Sequence, residues 1–494
     1  MGKPMTIFRS AILLTLVNLL LRFAGTSFQV FLSGRIGAAG IGLLQLTMSV
    51  GSLAMVAGMG GIRTAAMYLT AGELGRNRPQ NVIWVLSGCF VYSICFSGSV
   101  AAMLYHCAPF IAKCWIGDAR TIPALRLFAA FLPCTCLCGV MSGYFTAAKR
   151  IGTLAAVEVA EQLVSMSLTL GALHFWAGDD TGQACVCVVL GSSLGACLTL
   201  ICLVILRMRE KVPTGPRIAV SRDICRTALP LAVADDLRTG ISTVENLMVP
   251  RRLKLNTAVE NPLAAFGMVS GMVFPVLMFP ACILFGLAEL LIPELARCHA
   301  AGSGRRITYL VRRSLKASLL YGILFSGLMY LLADSLCVTF YGSTEAGRYL
   351  KLYALLIPLL YCDAIVDAMI KGLGQQTVSV RYNIFTNILD LVFLYLLLPE
   401  YGMMGYFFSF LVTHVINFGL SLRWLLKITK ERLHLHVPLL TLAVGIASAW
   451  GASFLSRPAA QVAAFSLLLV CGLYLLGIVR KEDVNWFKGL LTAR

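Results

Sequence analysis

The chain has 494 residues, 58% of them hydrophobic and only 13% charged, with a mean hydropathy of +0.82, and this excludes a water-soluble globule. Lipid must be its solvent. The formal charge of +18 requires no nucleic acid, because basic loops facing anionic lipid account for most of it.

Apolar runs near the roughly 20 residues that a bilayer demands recur from end to end, separated by short connections rich in Arg, Lys, Gly and Pro. They predict helices over residues 8–32, 41–69, 83–107, 123–146, 153–177, 184–206, 227–249, 263–292, 308–332, 350–370, 379–398, 403–426, 436–455 and 460–479. The first has a short basic leader and an apolar stretch, Ala11 to Leu21, in the manner of a signal peptide. Arg22 interrupts that stretch and the pattern runs on to Leu32 without a convincing cleavage site, so it is read as a helix.

An even number of spans leaves both termini on one side. Placing both inside puts roughly 28 of the 41 basic residues on cytoplasmic ends and loops, so the expectation is a multi-pass plasma-membrane protein with cytoplasmic termini. Arg207, Arg209, Lys211, Arg217, Arg222 and Arg226 fill the central loop, and Arg305, Arg306, Arg312, Arg313 and Lys316 crowd the entry to the ninth span. The fold class expected is all-α and polytopic: a six-helix lobe over 1–207, a cytoplasmic connection over 208–226, a second six-helix lobe over 227–432, and two extra helices with a tail over 433–494. The longest connection, about 20 residues, is too short for a folded domain outside the membrane, so no catalytic site and no enzyme is expected.

Most of the 17 cysteines lie inside apolar spans, where cysteine behaves as a small hydrophobe. Cys134, Cys136 and Cys138 mimic a ligand cluster, yet residues two apart on a helix point about 200° away from each other, and no metal is expected. Cys107 and Cys114 flank an outer loop and are candidates to pair.

The two halves carry a weak repeat. Ala147-Ala148-Lys149-Arg150-Ile151-Gly152 resembles Gly372-Leu373-Gly374-Gln375-Gln376 at an offset of about 225 residues, which sets Glu158, Gln162 and Ser165 opposite Asn383, Asn387 and Asp390. Both sets form one polar stripe. An offset of about 216 relates spans one and seven and sets Arg22 opposite Arg238.

Charges at mid-membrane cost at least about 2.5 to 3.5 kcal/mol, so they normally face a bundle interior or a wet cavity. Span one carries Asn18, Arg22 and Gln29 on one face, and span seven carries Asp235, Arg238, Ser242 and Glu245 on another, with Asp236 beside it. Span ten has Asp363, Asp367 and Lys371 at four-residue steps, and span twelve has His414 and Asn417 one turn apart. Such stripes are expected if two bundles enclose a hydrated cavity. Asp367 with Lys371 also reads as an ion pair, Glu294 and Lys149 with Arg150 as interfacial anchors, Arg63 as a snorkelling side chain, Glu158 and Glu161 as solvated acids, and His414 with Asn417 as a helix contact.

A buried arginine cannot shed its proton and needs an anion, and its planar fork suits phosphate. Asp235 and Asp236 are placed to neutralise Arg238. The candidate substrate-binding residues are therefore Arg22, Gln29, Arg63, Arg238, Asn383 and Asn387, and those for coupling or charge balance are Asp235, Asp236, Glu245, Asp363, Asp390 and His414. No cofactor is expected, with coupling to H+, to Na+ or to the membrane potential left open.

The stretch Gly34-Arg35-Ile36-Gly37-Ala38-Ala39-Gly40-Ile41-Gly42-Leu43-Leu44-Gln45, then Gly58-Met59-Gly60-Gly61-Ile62-Arg63, Val249-Pro250-Arg251-Arg252-Leu253, Leu291-Ile292-Pro293-Glu294, Lys371-Gly372-Leu373-Gly374-Gln375-Gln376 and Val380-Arg381-Tyr382-Asn383 resemble the multidrug, oligosaccharidyl-lipid and polysaccharide (MOP) exporter superfamily, and most of all its stage V sporulation protein B branch. The resemblance covers nearly the whole chain. It implies a flippase that moves an undecaprenyl-pyrophosphate-linked oligosaccharide outward by alternating access, as a monomer whose partners are that lipid-linked substrate and membrane lipids. It also implies that Arg22 is a first-helix cavity arginine and that spans thirteen and fourteen help form a groove for the lipid tail. Fourteen spans fit precursor flippases better than twelve-helix drug exporters, while Asp235 and Asp236 depart from the lipid II flippase pattern. A cation-coupled multidrug exporter using Asp235, Asp236 or Glu245 is the alternative, and a membrane glycosyltransferase would need an external catalytic loop that the sequence lacks.

Overall fold

A computed structural model describes residues 4–76, 78–176, 180–209, 216, 220–431 and 436–478, and among them there are helices and turns but no strands. Lys211, Arg217 and the tail after residue 478 lie outside the described residues, as does the side chain of Asn18.

The helices are α1 (Pro4–Met59), α2 (Ile62–Gly75), α3 (Val82–Phe110), α4 (Ile122–Ala147), α5 (Ile151–Phe175), α6 (Thr181–Met208), α7 (Ser221–Leu253), α8 (Pro262–Gly267), α9 (Phe274–Met278), α10 (Ala281–Ala300), α11 (Gly304–Tyr341), α12 (Thr344–Ala354), α13 (Ile357–Gly372), α14 (Gln376–Thr429), α15 (His436–Ser453) and α16 (Pro458–Leu475). Among the described residues, nine stretches are long and apolar enough to cross a membrane, and two bent pairs add two more: Pro262–Met278 with Ala281–Ala300 at 63°, and Thr344–Ala354 with Ile357–Gly372 at 53°.

At about 1.5 Å per residue, α1 and α14 each far exceed the roughly 30 Å of a bilayer core. Each is divided into two passes by one glycine with non-helical dihedrals, Gly37 (φ 68°, ψ 177°) and Gly402 (φ 55°, ψ −134°). The charge-bearing α7, 33 residues long, then brings the total to the fourteen expected. Residues 33–40, expected as a connection, are helical apart from the break at Gly37.

The second span, expected unbroken over 41–69, is interrupted between α1 and α2 at Gly60 and Gly61 (φ 49° and 69°). Packing explains the interruption: a Cβ on Gly61 would lie 2.3 Å from the carbonyl oxygen of Ala228 in α7, so only glycine lets the two helices meet there.

By contact the chain separates into two compact units, Met1–Gly271 with Leu394–Gly402, and Met272–Phe393 with Met403–Arg494. This partition differs from the division by helix count at 208–226, because α7 packs with the first unit. In that unit Ile62, Ala66, Val85, Leu86, Val140, Phe145, Leu203, Ile224 and Ala228 form a shared core drawn from α2, α3, α4, α6 and α7. In the second unit Ile323, Ala452, Phe465 and Leu469 join α11 to α15 and α16. A Cβ on Gly327 would sit 2.1 Å from the Phe465 ring, so that junction depends on a missing side chain.

All seventeen cysteines are free, including Cys107 and Cys114. The chain does not loop back between those two: α3 continues through a π-helical turn, Ile111–Ile116, and seven residues of helix separate two sites by about 10 Å, beyond disulfide reach. Cys136 and Cys138 are packing residues. The Cys136 thiol lies 3.9 Å from the Met55 carbonyl, and the Cys138 thiol donates to the Ala196 carbonyl at 3.0 Å.

Candidate functional site

Each unit carries its own polar set. In the first, α7 is pinned to the second half of α1 by Thr243, which donates to the Ser49 carbonyl at 3.2 Å, and by Asn246, which donates to the Ser49 hydroxyl at 3.0 Å. Neither residue stood out in the sequence, where Asn246 is masked by the neighbouring Glu245. This anchoring sets the rotation of α7 and leaves Asp235 and Arg238 exposed, with Asp236 and Glu245 half-buried.

Arg238 sits near the middle of α7, and among the described residues it joins no ion pair, so the neutralisation expected from Asp235 or Asp236 is not formed. One carboxylate oxygen of Asp236 is buried and accepts no hydrogen bond. Arg22 on α1 is likewise exposed. An exposed cation partway along a membrane helix must face a water-filled space or the interface.

Gln29 donates through Nε2 to the Gly271 carbonyl at 2.9 Å, which makes it a tie between α1 and the π-helical turn Met268–Val273. Arg63, at the start of α2, is exposed; its carbonyl lies where a Cβ on Gly143 would come within 2.5 Å, and Glu158 of α5 is within electrostatic reach of its side chain. Glu161 is not simply solvated: it accepts a hydrogen bond from Thr199 of α6 at 2.9 Å.

The second unit holds three polar clusters along α13 and α14. At one end Lys371 and Asp367 form an ion pair at 2.6 Å, Ser379 donates to the same carboxylate, and Asn383 donates to the Ser379 carbonyl at 2.9 Å. In the middle Asn417 donates to both oxygens of Asp363, at 3.2 and 3.0 Å, while Thr386 donates to the Asn417 oxygen at 3.5 Å. Further along, Asp390 is 6% exposed and accepts from Ser409 at 2.5 Å and from Thr413 at 3.2 Å.

These bonds revise the expected stripe. Its members in contact with neighbours are Ser379, Asn383, Thr386 and Asp390, whereas Asn387, among the described residues, makes no side-chain hydrogen bond. His414 does not pair with Asn417. Its Nδ1 lies 2.9 Å from the Phe410 carbonyl and its ring stacks on Phe410 with centroids 3.9 Å apart. Thr386 and Ser409 were missed because hydroxyls at helical spacing are common in any membrane helix.

The first unit thus holds the exposed arginines Arg22, Arg63 and Arg238, with Asp235 and Asp236 on the same helix as Arg238, and the second holds acids tied by hydrogen bonds to hydroxyl and amide groups, an arrangement suited to binding and carrying ions. A family model described as MatE matches residues 14–170 and 255–396, more than half of the chain. The chain belongs to the MatE family.

Among curated proteins, the chain is 21% identical over 412 residues to Stage V sporulation protein B of Bacillus subtilis (strain 168), covering 81% of this chain and 80% of the relative. It is 22% identical over 277 residues to Sporulation protein YkvU of the same organism, covering 54% and 61%. Among solved structures, it is similar to the lipid II flippase MurJ in an inward closed conformation, with a TM-score of 0.75 and 11% identity over 95% of this chain and 100% of the other. It is also similar to a multidrug resistance MATE family transporter of the MOP superfamily in an inward-facing conformation, with a TM-score of 0.68 and 13% identity over 85% and 100%. At such identities the likeness establishes the fold. The protein is a multi-pass membrane transporter of the MatE family, all-α as its sequence predicts.

Proposed function

We propose that the protein is a flippase that exports an undecaprenyl-pyrophosphate-linked oligosaccharide, a cell-wall or polysaccharide precursor, across the plasma membrane by alternating access. Arg238 carries this reading: a permanent cation near the middle of α7, exposed and in no ion pair among the described residues, is a ready partner for a phosphate group, to which a guanidinium donates two hydrogen bonds. The likeness in fold to a lipid II flippase supports the same substrate class. In this reading Arg22, Gln29, Arg63, Arg238, Asn383 and Asn387 engage the substrate, and Asp235, Asp236, Glu245, Asp363, Asp390 and His414 serve coupling or charge balance. The driving force is H+, Na+ or the membrane potential, both termini are cytoplasmic, and the monomer is the working unit.

The second reading, a cation-coupled multidrug exporter, is favoured by Asp235 and Asp236, two acids within three residues of Arg238 on α7, and by the likeness to a multidrug transporter. Outward movement of a fluorescent undecaprenyl-pyrophosphate-linked sugar in proteoliposomes separates the two. The expected result is transport by the parent, lost in Arg22→Ala and Arg238→Ala. A folded parent that leaves this probe in place but moves ethidium overturns the flippase reading.

A further inference from the structure

The nine residues Leu394–Gly402 lie inside α14, yet they pack with the first unit, whereas the residues up to Phe393 and from Met403 pack with the second. Within the first unit they are held by the connection between α7 and α8. Asn256 donates through Nδ2 to the Pro399 carbonyl at 3.0 Å and to the Glu400 carbonyl at 3.1 Å. Its own oxygen accepts from the Ala258 amide at 3.0 Å, which fixes the donor in place. The Arg252 guanidinium lies 3.2 Å from the centroid of the Tyr395 ring, and a Cβ on Gly402 would come within 3.2 Å of Val259.

The chemistry of the break explains why an asparagine is needed. Carbonyls in the last turn before a helix break have no amide four residues ahead in register and must find a donor elsewhere. Pro399 and Glu400 are in that position, just before Gly402, where φ is 55°. A side-chain amide delivered from a different part of the chain supplies both bonds, and the arginine over the tyrosine adds a cation–π contact at the same end. Such contacts are few and mostly half-exposed, which suits a junction that opens without unfolding a core.

We propose that residues 252–259 form a latch on residues 395–402, that Asn256 is its positioning residue, and that the latch opens and closes once in each transport cycle. The chain crosses between units at 393/394 and at 402/403, so a rearrangement of one unit against the other must either release this stretch or bend α14 there. Gly402 provides the bend and Asn256 the releasable bond. The inference rests on transport as such and not on which substrate is moved.

Hydrogen exchange read by mass spectrometry on the full chain in lipid nanodiscs tests the latch. The expected result is that 254–261 and 395–402 open together with one rate constant, and that Asn256→Ala speeds both at least fivefold while the turn at 147–151 is unchanged. In proteoliposomes the same variant should change the flux of whichever probe the parent carries, the lipid-linked sugar or ethidium, at least threefold, and Asn256→Gln, which keeps the amide, should recover part of it. Opening of the two segments at independent rates overturns the latch, as does parental flux in an Asn256→Ala protein whose two segments are both loosened. Absence of sugar flux in the parent counts against the substrate reading alone, because the exchange measurement stands without it.

Discussion

Lys149 and Gly374 occupy the same left-handed position in the same turn, about 225 residues apart, with φ of 59° and 77°. The likeness extends to the hydrogen bonds. Ala148 donates to Tyr144 at 2.9 Å, Lys149 to Thr146 at 3.1 Å and Arg150 to Phe145 at 2.9 Å; Leu373 donates to Met369 at 3.0 Å, Gly374 to Lys371 at 3.0 Å and Gln375 to Ile370 at 3.1 Å. Since a lysine is strained where glycine is not, Lys149→Gly should stabilise the protein by about 0.5 to 1 kcal/mol, and Gly374→Ala should destabilise it by about 1 to 2 kcal/mol. Thermal unfolding in detergent checks both. A lower midpoint for Lys149→Gly would mean that the lysine charge at the end of α4 outweighs the strain.

The repeat was legible because a short polar turn follows an apolar run in both copies and precedes a helix with the same polar spacing, Glu158, Gln162 and Ser165 against Asn383, Asn387 and Asp390. A second copy pair, at the same offset, was not. Gly117 and Gly342 both end a helix with positive φ, and the residues after them, Asp118 and Ser343, cap the next helix by accepting from Arg120 and Ala346 amides at 2.9 and 3.2 Å. Asp and Ser do the same capping work, but no polar stripe at matched spacing follows them to mark the pair. Most of the spans were readable from apolar run length, α7 with its charges being the exception, whereas the breaks at Gly60 and Gly61 depend on the approach of α7, which is far away in sequence. The polar stripes were placed on the right helices, but rotation decides partners: Ser49 fixes that of α7, and the hydroxyls of Ser409 and Thr413 decide that Asp390 and not Asn387 is the buried member of its stripe.

Gly61→Ala should be among the more damaging single-methyl changes in the first unit. The added Cβ would meet the Ala228 carbonyl at 2.3 Å and the Ala232 amide nitrogen at 3.0 Å, both backbone atoms that cannot rotate away, and φ of 69° adds strain of its own. The cost should exceed about 2 kcal/mol. Gly72→Ala, with open space around its Cβ, is the control and should raise the unfolding midpoint or leave it unchanged, as expected for an exposed helix position.

Asp390 separates stability from coupling. Asp390→Leu removes the acceptor of the Ser409 hydroxyl, which is then buried with only a long 3.4 Å contact to the backbone of residue 390, whereas Thr413 keeps its 2.9 Å bond to the Ser409 carbonyl. The loss should be about 1 to 3 kcal/mol. Asp390→Asn keeps an oxygen acceptor in place and should unfold within a few degrees of the parent, but it cannot carry a proton or balance a cation. If Asp390 serves coupling, flux in Asp390→Asn should no longer respond to imposed H+ or Na+ gradients or to a potential. A parental response in that variant removes Asp390 from the coupling set.

Asp118 provides a pH test outside the membrane spans. The Arg120 side chain donates to it at 3.1, 3.1 and 2.7 Å and the Arg120 amide donates at 2.9 Å, and these bonds hold the Asp118 carboxyl below the usual carboxylate range. Arg120 also donates to Thr181 at 3.1 Å, so the turn joins the start of α4 to the start of α6. A carboxyl whose pKa is depressed in the folded state binds protons less readily there than in the unfolded chain. Its contribution is complete above the unfolded value of about 3.9 and is lost as pH falls through the lower folded value. The difference in melting temperature between the parent and Asp118→Asn should therefore be constant above about pH 5 and shrink as the medium is acidified toward pH 3. No difference between the two proteins at any pH in that range would assign the stabilisation to the uncharged capping geometry, which asparagine also provides, and not to the ion pair with Arg120.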